Sequence, residues 1–408
     1  GIIKNHSVEL IGQGSLDANT SIIDPNSGKP IEFVLIGQDS RDGEENQSVG
    51  GNFDDVVGNH QADTTMVAQI SADRTKINLV SIPRDSLVDV PQCETTNGTI
   101  PAQYNVMFNS IFANAYQTGG DLASAASCTL NAVNSLTGLN IQNFIVVDFA
   151  GLVKMIDSVG GVDLCIPQNV NDPYTGLNLD KGMHHLDGVA ATQYARIRHG
   201  IGDGSDTSRT TRQQYLIKQL MSEALSKNLF TDTAQLYQLA KSALQSLYIS
   251  QGMADTAALA GLAMSLKDFN LSNLYSQTVP VVSAPSDPNR SVWADEAETL
   301  WEKMRMDKPI YGSDESDTNT DADSAGNAGD STDNSTEGTD NTGSQEAAPT
   351  PDPVTGLITQ ADGTLIDPNT GGTVDPEDGS IHDALTGQYI GLADRYLNAT
   401  VCAVPAKN

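Results

Sequence analysis

Short apolar runs alternate with helical stripes between Glu32 and Tyr311. Phe33-Val34-Leu35-Ile36, ending at Gly37, has the pattern of a strand covered on both faces. Met66–Ile70 and Ile77–Ile82 read as two further strands. A helix is expected from Asp121, with Leu122, Ala126, Leu130 and Val133 on one stripe. Asp121 suits its N-cap and Gly138 its stop. Phe144–Val147 reads as a buried strand, a helix follows through Leu152 and Ile156, and Val162–Ile166 is strand again. After Asp206 a long helix is expected to about Leu229, then helices over Ala234–Leu247, Ala254–Leu266 and Ser291–Met306. Strands alternating with helices predict an α/β sandwich.

The same patterning divides the chain. Residues 1–30 read as an extended lead-in and residues 31–311 as the main domain. Ser313–Pro351 holds ten Asp or Glu and no Lys or Arg. Such a segment cannot bury enough surface to offset its ordering entropy, so residues 312–351 read as a disordered acidic linker. Beyond it, Asp352-Pro-Val-Thr-Gly, Asp367-Pro-Asn-Thr-Gly and Asp383-Ala-Leu-Thr-Gly form a weak repeat, with Asp-Gly steps between the copies. Residues 352–408 are therefore expected to form a small β-rich appendage of tight turns. The EF-hand ligand pattern is absent, which favours plain turns over Ca²⁺ loops.

A net charge of −30 argues against nucleic acid and anionic membrane surfaces as partners. It also makes any tight cluster of cations informative. Cys93, Cys128, Cys165 and Cys402 include no CxxC pair, and an even count suits two disulfides outside the cytoplasm; four buried thiols are the alternative. A Cys93–Cys128 bridge would close a loop worth roughly 4 kcal/mol in chain entropy. The other pair would then tie Cys402 to the main domain across the linker, although sequence alone leaves the connectivity open. No apolar run reaches a membrane span and no signal peptide is present. The abrupt start at Gly1 raises the expectation of a membrane anchor ahead of it.

Four arginines, Arg196, Arg198, Arg209 and Arg212, fall within 17 residues. Arg209 and Gln213 head the stripe that continues through Ile217, Leu220 and Ala224. An arginine there needs an anionic partner, either an acidic side chain or a bound anion, because an unpaired buried charge costs several kcal/mol. Guanidinium forks match phosphate oxygens bidentately. Three strand ends also carry charge: Asp39 and Arg41 after the first, Asp63 before the second, Arg84 and Asp85 after the third. Any one such Asp is more often a cap or turn residue, but together they could hold Mg²⁺ (or Mn²⁺) and leave its remaining positions to water and phosphates. There is no P-loop, HExxH or G-x-S-x-G motif, and the six histidines are scattered, with His184-His185 read as loop.

Taken together, VLIGQDSR, ADTTMV, NLVSIPRDSLVDVP, AYQTGG, NAVNSLTGLNIQNFIVVDFAGLVKMIDSVGGVDL, QYARIRH and GDGSDTSRTTRQQ resemble the LytR-CpsA-Psr family of cell-wall transferases over Phe33–Phe230. The Cys128 and Cys165 contexts are similar to its actinobacterial branch. The resemblance implies an α-β-α sandwich with a central mixed sheet flanked by helices. It implies Asp39 and Asp63 as Mg²⁺ ligands, and Arg84, Arg196, Arg198, Arg209 and Gln213 as holders of a pyrophosphate. Asp206 would orient arginines or assist the acceptor hydroxyl. The family's Arg before Asp63 is Gln61 here, with Arg41 placed to compensate, and a family Lys before AYQTGG is replaced by Ile111. The implied reaction moves a phosphorylated glycopolymer from a polyprenyl-pyrophosphate carrier to a peptidoglycan hydroxyl, outside the membrane of a Gram-positive cell. A pyrophosphate-lipid hydrolase and a non-catalytic wall-polymer binder are the alternatives.

Overall fold

The computed structural model describes residues 3–4, 24–38, 61–197, 206–311 and 349–403, with residues 3–4 and 206–207 as backbone only. Seven strands form the central sheet: β1 (Ile3–Lys4), β2 (Ile31–Gln38), β3 (Ala62–Ile70), β4 (Ile77–Ile82), β9 (Asn143–Val147), β14 (Tyr248–Ser250) and β15 (Leu274–Thr278). Their order is β1-β14-β9-β2-β3-β4-β15. The sheet is mixed, because β2 runs parallel to β9 and β4 to β15, while β3 runs antiparallel to both its neighbours. Short hairpins fill the connections: β5 (Leu87–Val90) with β8 (Gln103–Met107), β6 (Cys93–Thr95) with β7 (Gly98–Ile100), β10 (Val162–Ile166) with β13 (Gly182–Leu186), and β11 (Val170–Asn171) with β12 (Asn178–Leu179).

Both sheet faces are covered, as the continuous apolar run in β2 requires. Val34 and Ile36 face one layer, made of α1 (Ser110–Gly119), α2 (Leu122–Thr137) and α8 (Glu296–Arg305). Ile31 and Phe33 face the other, made of α5 (Asp206–Ser226), α6 (Thr233–Ser246) and α7 (Thr256–Ser265). Alternate residues of one strand thus enter two cores, the period-2 rule of a pleated strand. All nine residues of β3, the strand that carries Asp63, are buried. Asp121 caps α2 through its side chain, accepting from the Ser124 amide at 2.9 Å, and Gly138 closes the helix in the left-handed region.

Two sequence expectations fail locally. The stretch from Ser291 does not begin a helix: β16 (Val281–Ala284) pairs with β17 (Asp287–Trp293), and α8 starts at Glu296. β-branched and aromatic residues at Val292 and Trp293 favour the pleated partner, and Trp293 stacks against Trp301 at 5.5 Å. His184 and His185 lie in strand β13 rather than in a loop.

Beyond the main domain, β18 (Ile358–Thr359), β19 (Leu365–Ile366), β20 (Thr373–Val374), β21 (Ser380–His382) and β22 (Tyr389–Leu392) form an antiparallel meander. Each Asp-x-x-Thr-Gly turn uses its own carboxylate. Asp367, for instance, accepts from the Asn369 amide at 3.3 Å and the Thr370 hydroxyl at 2.8 Å. The motif also closes the β11–β12 hairpin, where Thr175 donates to Asp172 at 2.8 Å. Both disulfides are formed, Cys93–Cys128 and Cys165–Cys402. The second ties the meander to β10 of the main domain.

α3 (Phe149–Ser158) and α4 (Gly188–Arg196) pack backbone to backbone. A Cβ on Gly188 would lie 2.2 Å from the Val153 carbonyl oxygen, and its amide donates to Asp157 at 2.7 Å. Gly188→Ala should therefore push α4 off α3 and cost roughly 1–3 kcal/mol. Denaturant titration of the variant checks this.

Candidate functional site

The polar end of the site is set by strand register. Thr64 pairs with Gly37 and Thr65 with Ile82, so Gly37-Gln38, Asp63 and the segment leading to Arg84 share one sheet end. Asp63 is 9% exposed there, and a carboxylate that buried needs compensating charge. It receives two guanidinium groups from separate elements. Arg209, in the first turns of α5, donates through Nη1 to both carboxylate oxygens at 3.0 Å and through Nη2 to the Asp63 carbonyl at 3.2 Å. Arg84 donates through Nη1 to Oδ1 at 3.0 Å and lies 3.8 Å from Asp85. Two cations thus face one buried anion, with the exposed Asp85 carboxylate on the outer side of Arg84.

Gln213, one turn after Arg209, accepts from the Thr64 hydroxyl at 2.6 Å and donates to the Ala195 carbonyl at 3.5 Å. It therefore joins α5 to both β3 and the end of α4. Arg196 closes α4 with its guanidinium 4.4 Å above the Phe149 ring. Arg212 is 6% exposed, donates to the Ile197 carbonyl and lies 5.9 Å over the Tyr194 ring. Burial, helped by the neighbouring Arg209, pushes its pKa below the ordinary arginine value.

A cavity of about 130 Å³ opens beside this cluster. Gln38, Asp63, Thr64, Asp148, Arg196 and Gln213 supply most of its polar lining. Two residues further along the strands, Leu35 and Met66 line it together with Phe149, Leu152, Leu216 and Ile217. The cavity therefore has a polar end, where Asp63, Asp148 and Arg196 carry charge, and an apolar body.

The structure brings together Asp63, Arg84, Arg209 and Gln213, and places Arg196 on the same cavity. Asp39, Arg41 and Arg198 lie outside the described residues, as does the side chain of Asp206, whose backbone opens α5. Sequence reasoning missed Phe149, whose signal was a large aromatic directly after the N-cap Asp148, and Thr64, a hydroxyl beside the expected metal ligand. Both Asp63 oxygens are engaged by guanidinium groups, Oδ1 by Arg84 and Arg209 and Oδ2 by Arg209. Mg²⁺ needs only one or two carboxylates when substrate phosphates complete its shell. Carboxylates beside an anionic substrate are the donor chemistry such a site uses, and Asp63 with Asp39 are the residues that would hold Mg²⁺ here.

Asp163, His185 and Glu223 form a second cluster, with ligand atoms within 4.8 Å of one another. Its arrangement is that of a brace. His185 Nδ1 faces Asp163 at 2.7 Å and Nε2 faces the Gly160 carbonyl at 2.7 Å, while Lys227 pairs with Glu223 at 3.3 Å. Two acceptors on one imidazole require the protonated form, which a metal would displace.

The LytR_cpsA_psr family profile matches residues 4–306. The chain belongs to this family. The cell wall biosynthesis protein LcpA of Corynebacterium glutamicum is 28% identical over 69% of this chain and 57% of its own length. LcpB of the same organism is described as a probable cell wall biosynthesis protein, and is 30% identical over 67% of this chain and 60% of its own. The chain thus spans under two thirds of these LytR_cpsA_psr relatives. A solved Streptococcus agalactiae protein, gbs0355, shares the fold at a TM-score of 0.53 and 17% identity, covering 71% of this chain and 91% of its own. TagV of Bacillus subtilis gives 0.50 at 21% identity, covering 69% and 96%. Among the described residues no helix is long and apolar enough to cross a membrane.

Two outcomes follow from the ionic contacts. Asp63→Asn removes the carboxylate that faces buried Arg209 and half-buried Arg84, and should destabilise the fold by about 3 kcal/mol, read from denaturant midpoints. The Asp163 carboxylate, followed by the Gly160 carbonyl, raises the His185 pKa above its ordinary value of 6.5. Its stabilisation is complete below that ordinary value and disappears as pH rises through the raised folded one. His185→Gln should flatten this decline, measured as melting temperature from about pH 5 to pH 8.

Proposed function

We propose that the protein is a phosphotransferase that takes a phosphorylated glycopolymer from a polyprenyl-pyrophosphate carrier and joins it to a peptidoglycan sugar hydroxyl. The observation that carries the reading is the convergence of Arg84 and Arg209 on Asp63 at the polar end of an apolar cavity. A relative from Enterococcus faecalis, 26% identical over 51% of this chain, is named polyisoprenyl-teichoic acid–peptidoglycan teichoic acid transferase, which agrees with it.

In this reading the isoprenoid chain enters the body lined by Leu35, Met66, Leu152, Leu216 and Ile217. The diphosphate lies against Arg84, Arg196 and Arg209, with Arg198 and Arg41 as further candidates, and Gln213 holds α5 at the distance that phosphate oxygens need. The acceptor oxygen forms a bond to the phosphorus that bears the polymer. The bond from that phosphorus to the bridging oxygen breaks, and polyprenyl phosphate leaves. The hydroxyl proton passes to a base, for which Asp206 is the candidate. Charge accumulates on the bridging and non-bridging oxygens, where fixed guanidinium groups stabilise it at no reorganisation cost during the reaction. Mg²⁺, held by Asp63 with Asp39, would add neutralisation of the phosphate oxygens.

Arg196 is the most direct test, because it lines the cavity from the end of α4 and stacks on Phe149, apart from the Arg84–Asp63–Arg209 trio. Arg196→Ala should lower transfer at least 100-fold and weaken diphosphate-lipid binding, with a melting temperature within a few degrees of the parent. Transfer at the parental rate overturns the mechanism. Phosphate release that is equal with and without acceptor glycan would make the protein a hydrolase.

A further inference from the structure

The C-terminal meander is fixed firmly against α5, the helix that carries Arg209. Tyr215 donates to Asn398 at 2.5 Å, the Thr211 and Tyr389 hydroxyls meet at 2.9 Å, and Lys218 pairs with Asp394 at 2.5 Å. Between the meander on one side and α5 with edge strand β15 on the other lies a cleft of about 340 Å³. The disulfide and these contacts make the cleft a built feature of the fold.

We propose that this cleft binds the acceptor, a neutral or weakly charged stretch of amino-sugar glycan strand. Three observations carry the proposal. The first is position. Gln213 lines the apolar cavity and Gln214, the next residue, lines the cleft, so the two spaces flank the same turn of α5. Gln214 also donates to Ser81 at 2.6 Å and to the Gln277 carbonyl at 3.0 Å, joining the cleft wall to the strand that leads into Arg84. In phosphoryl transfer the attacking and leaving oxygens lie roughly in line. The attacking and leaving oxygens both lie within bonding range of one phosphorus, so the cleft would hold sugars of the strand that are remote from the reacting hydroxyl.

The second observation is charge. Lys218, Arg395, Asp367 and Asp394 are the charged residues of the lining, and they sum to zero. A polyphosphate chain entering a protein of net charge −30 would need a cationic channel, whereas a sugar strand does not. The third is chemistry. Gln277 on the β15 wall and Asn369 at an exposed turn of the meander each offer a donor and an acceptor, which is what sugar hydroxyls and acetamido groups require. Tyr275 and Tyr311, packed edge to face at 5.2 Å, add an aromatic surface for the C–H face of a pyranose ring.

The inference takes its ligand class from the transferase reading, so the two are tested by separate measurements on the full chain. The probe for the cleft is a β-1,4-linked N-acetylglucosamine/N-acetylmuramic acid tetrasaccharide, titrated by calorimetry without donor. A glycerol-phosphate oligomer is the polyanionic control, and donor affinity is measured with a short-chain polyprenyl-diphosphate sugar. The tetrasaccharide should bind, and the double variant Gln277→Ala/Asn369→Ala should weaken it roughly tenfold while donor affinity stays within about twofold. Asn369→Trp, which fills the cleft from a turn rather than from the core, should do the same and guards against misfolding as the cause. Absence of binding to the parent, equal binding to both variants, or preference for the glycerol-phosphate oligomer overturns the proposal. Tetrasaccharide binding without any donor binding supports the cleft and removes the transferase reading.

Discussion

A single carboxylate holds the site in shape. Asp63 is buried, and the free energy of placing its charge inside the protein is offset by Arg84 and Arg209 together. That requirement fixes three pieces of chain relative to one another: the start of β3, the segment after β4, and the first turns of α5. The result is a preorganised cation pair at the end of a sheet. A shared counter-charge also makes the pair respond as a unit. Loss of one guanidinium changes the environment of the other, and single substitutions at Arg84 and Arg209 are not expected to add.

α5 is the second organising element. Its residues reach in several directions: Arg209 to Asp63, Gln213 to Thr64 and Ala195, Gln214 to Ser81, Tyr215 and Thr211 to the meander. Arg212 packs among Tyr194 and Ile197 in the same turn. A helix with polar contacts on most of its circumference has little freedom to rotate, which suits a helix that must present one arginine accurately.

Much of this was legible in the sequence, for identifiable reasons. The apolar run in β2 and the capped pattern of α2 each follow one strong local rule, and both elements stand where those rules place them. The mixed central sheet follows from the family resemblance, and the solved relatives share that fold. The gathering of Asp63, Arg84, Arg209 and Gln213 was implied by the family resemblance; strand patterning by itself offered only Asp63 and Arg84, as charges at strand ends. What escaped was non-local. Trp293 is a strand residue because a partner strand and Trp301 lie beside it, information absent from its own window. α1 is short, and its buried residues Ile111, Phe112 and Ala115 are interleaved with small and polar ones that give little periodic signal. Phe149 gained its place under Arg196 from the packing of α3 against α4, which sequence spacing does not reveal.

The Cys165–Cys402 bond joins positions 237 residues apart and spans the acidic stretch that precedes the meander. A protease that cuts anywhere between Tyr311 and Pro349 would leave two chains that remain one covalent particle as long as the bond is oxidised. The acidic segment is therefore a second covalent link between main domain and meander, alongside the disulfide.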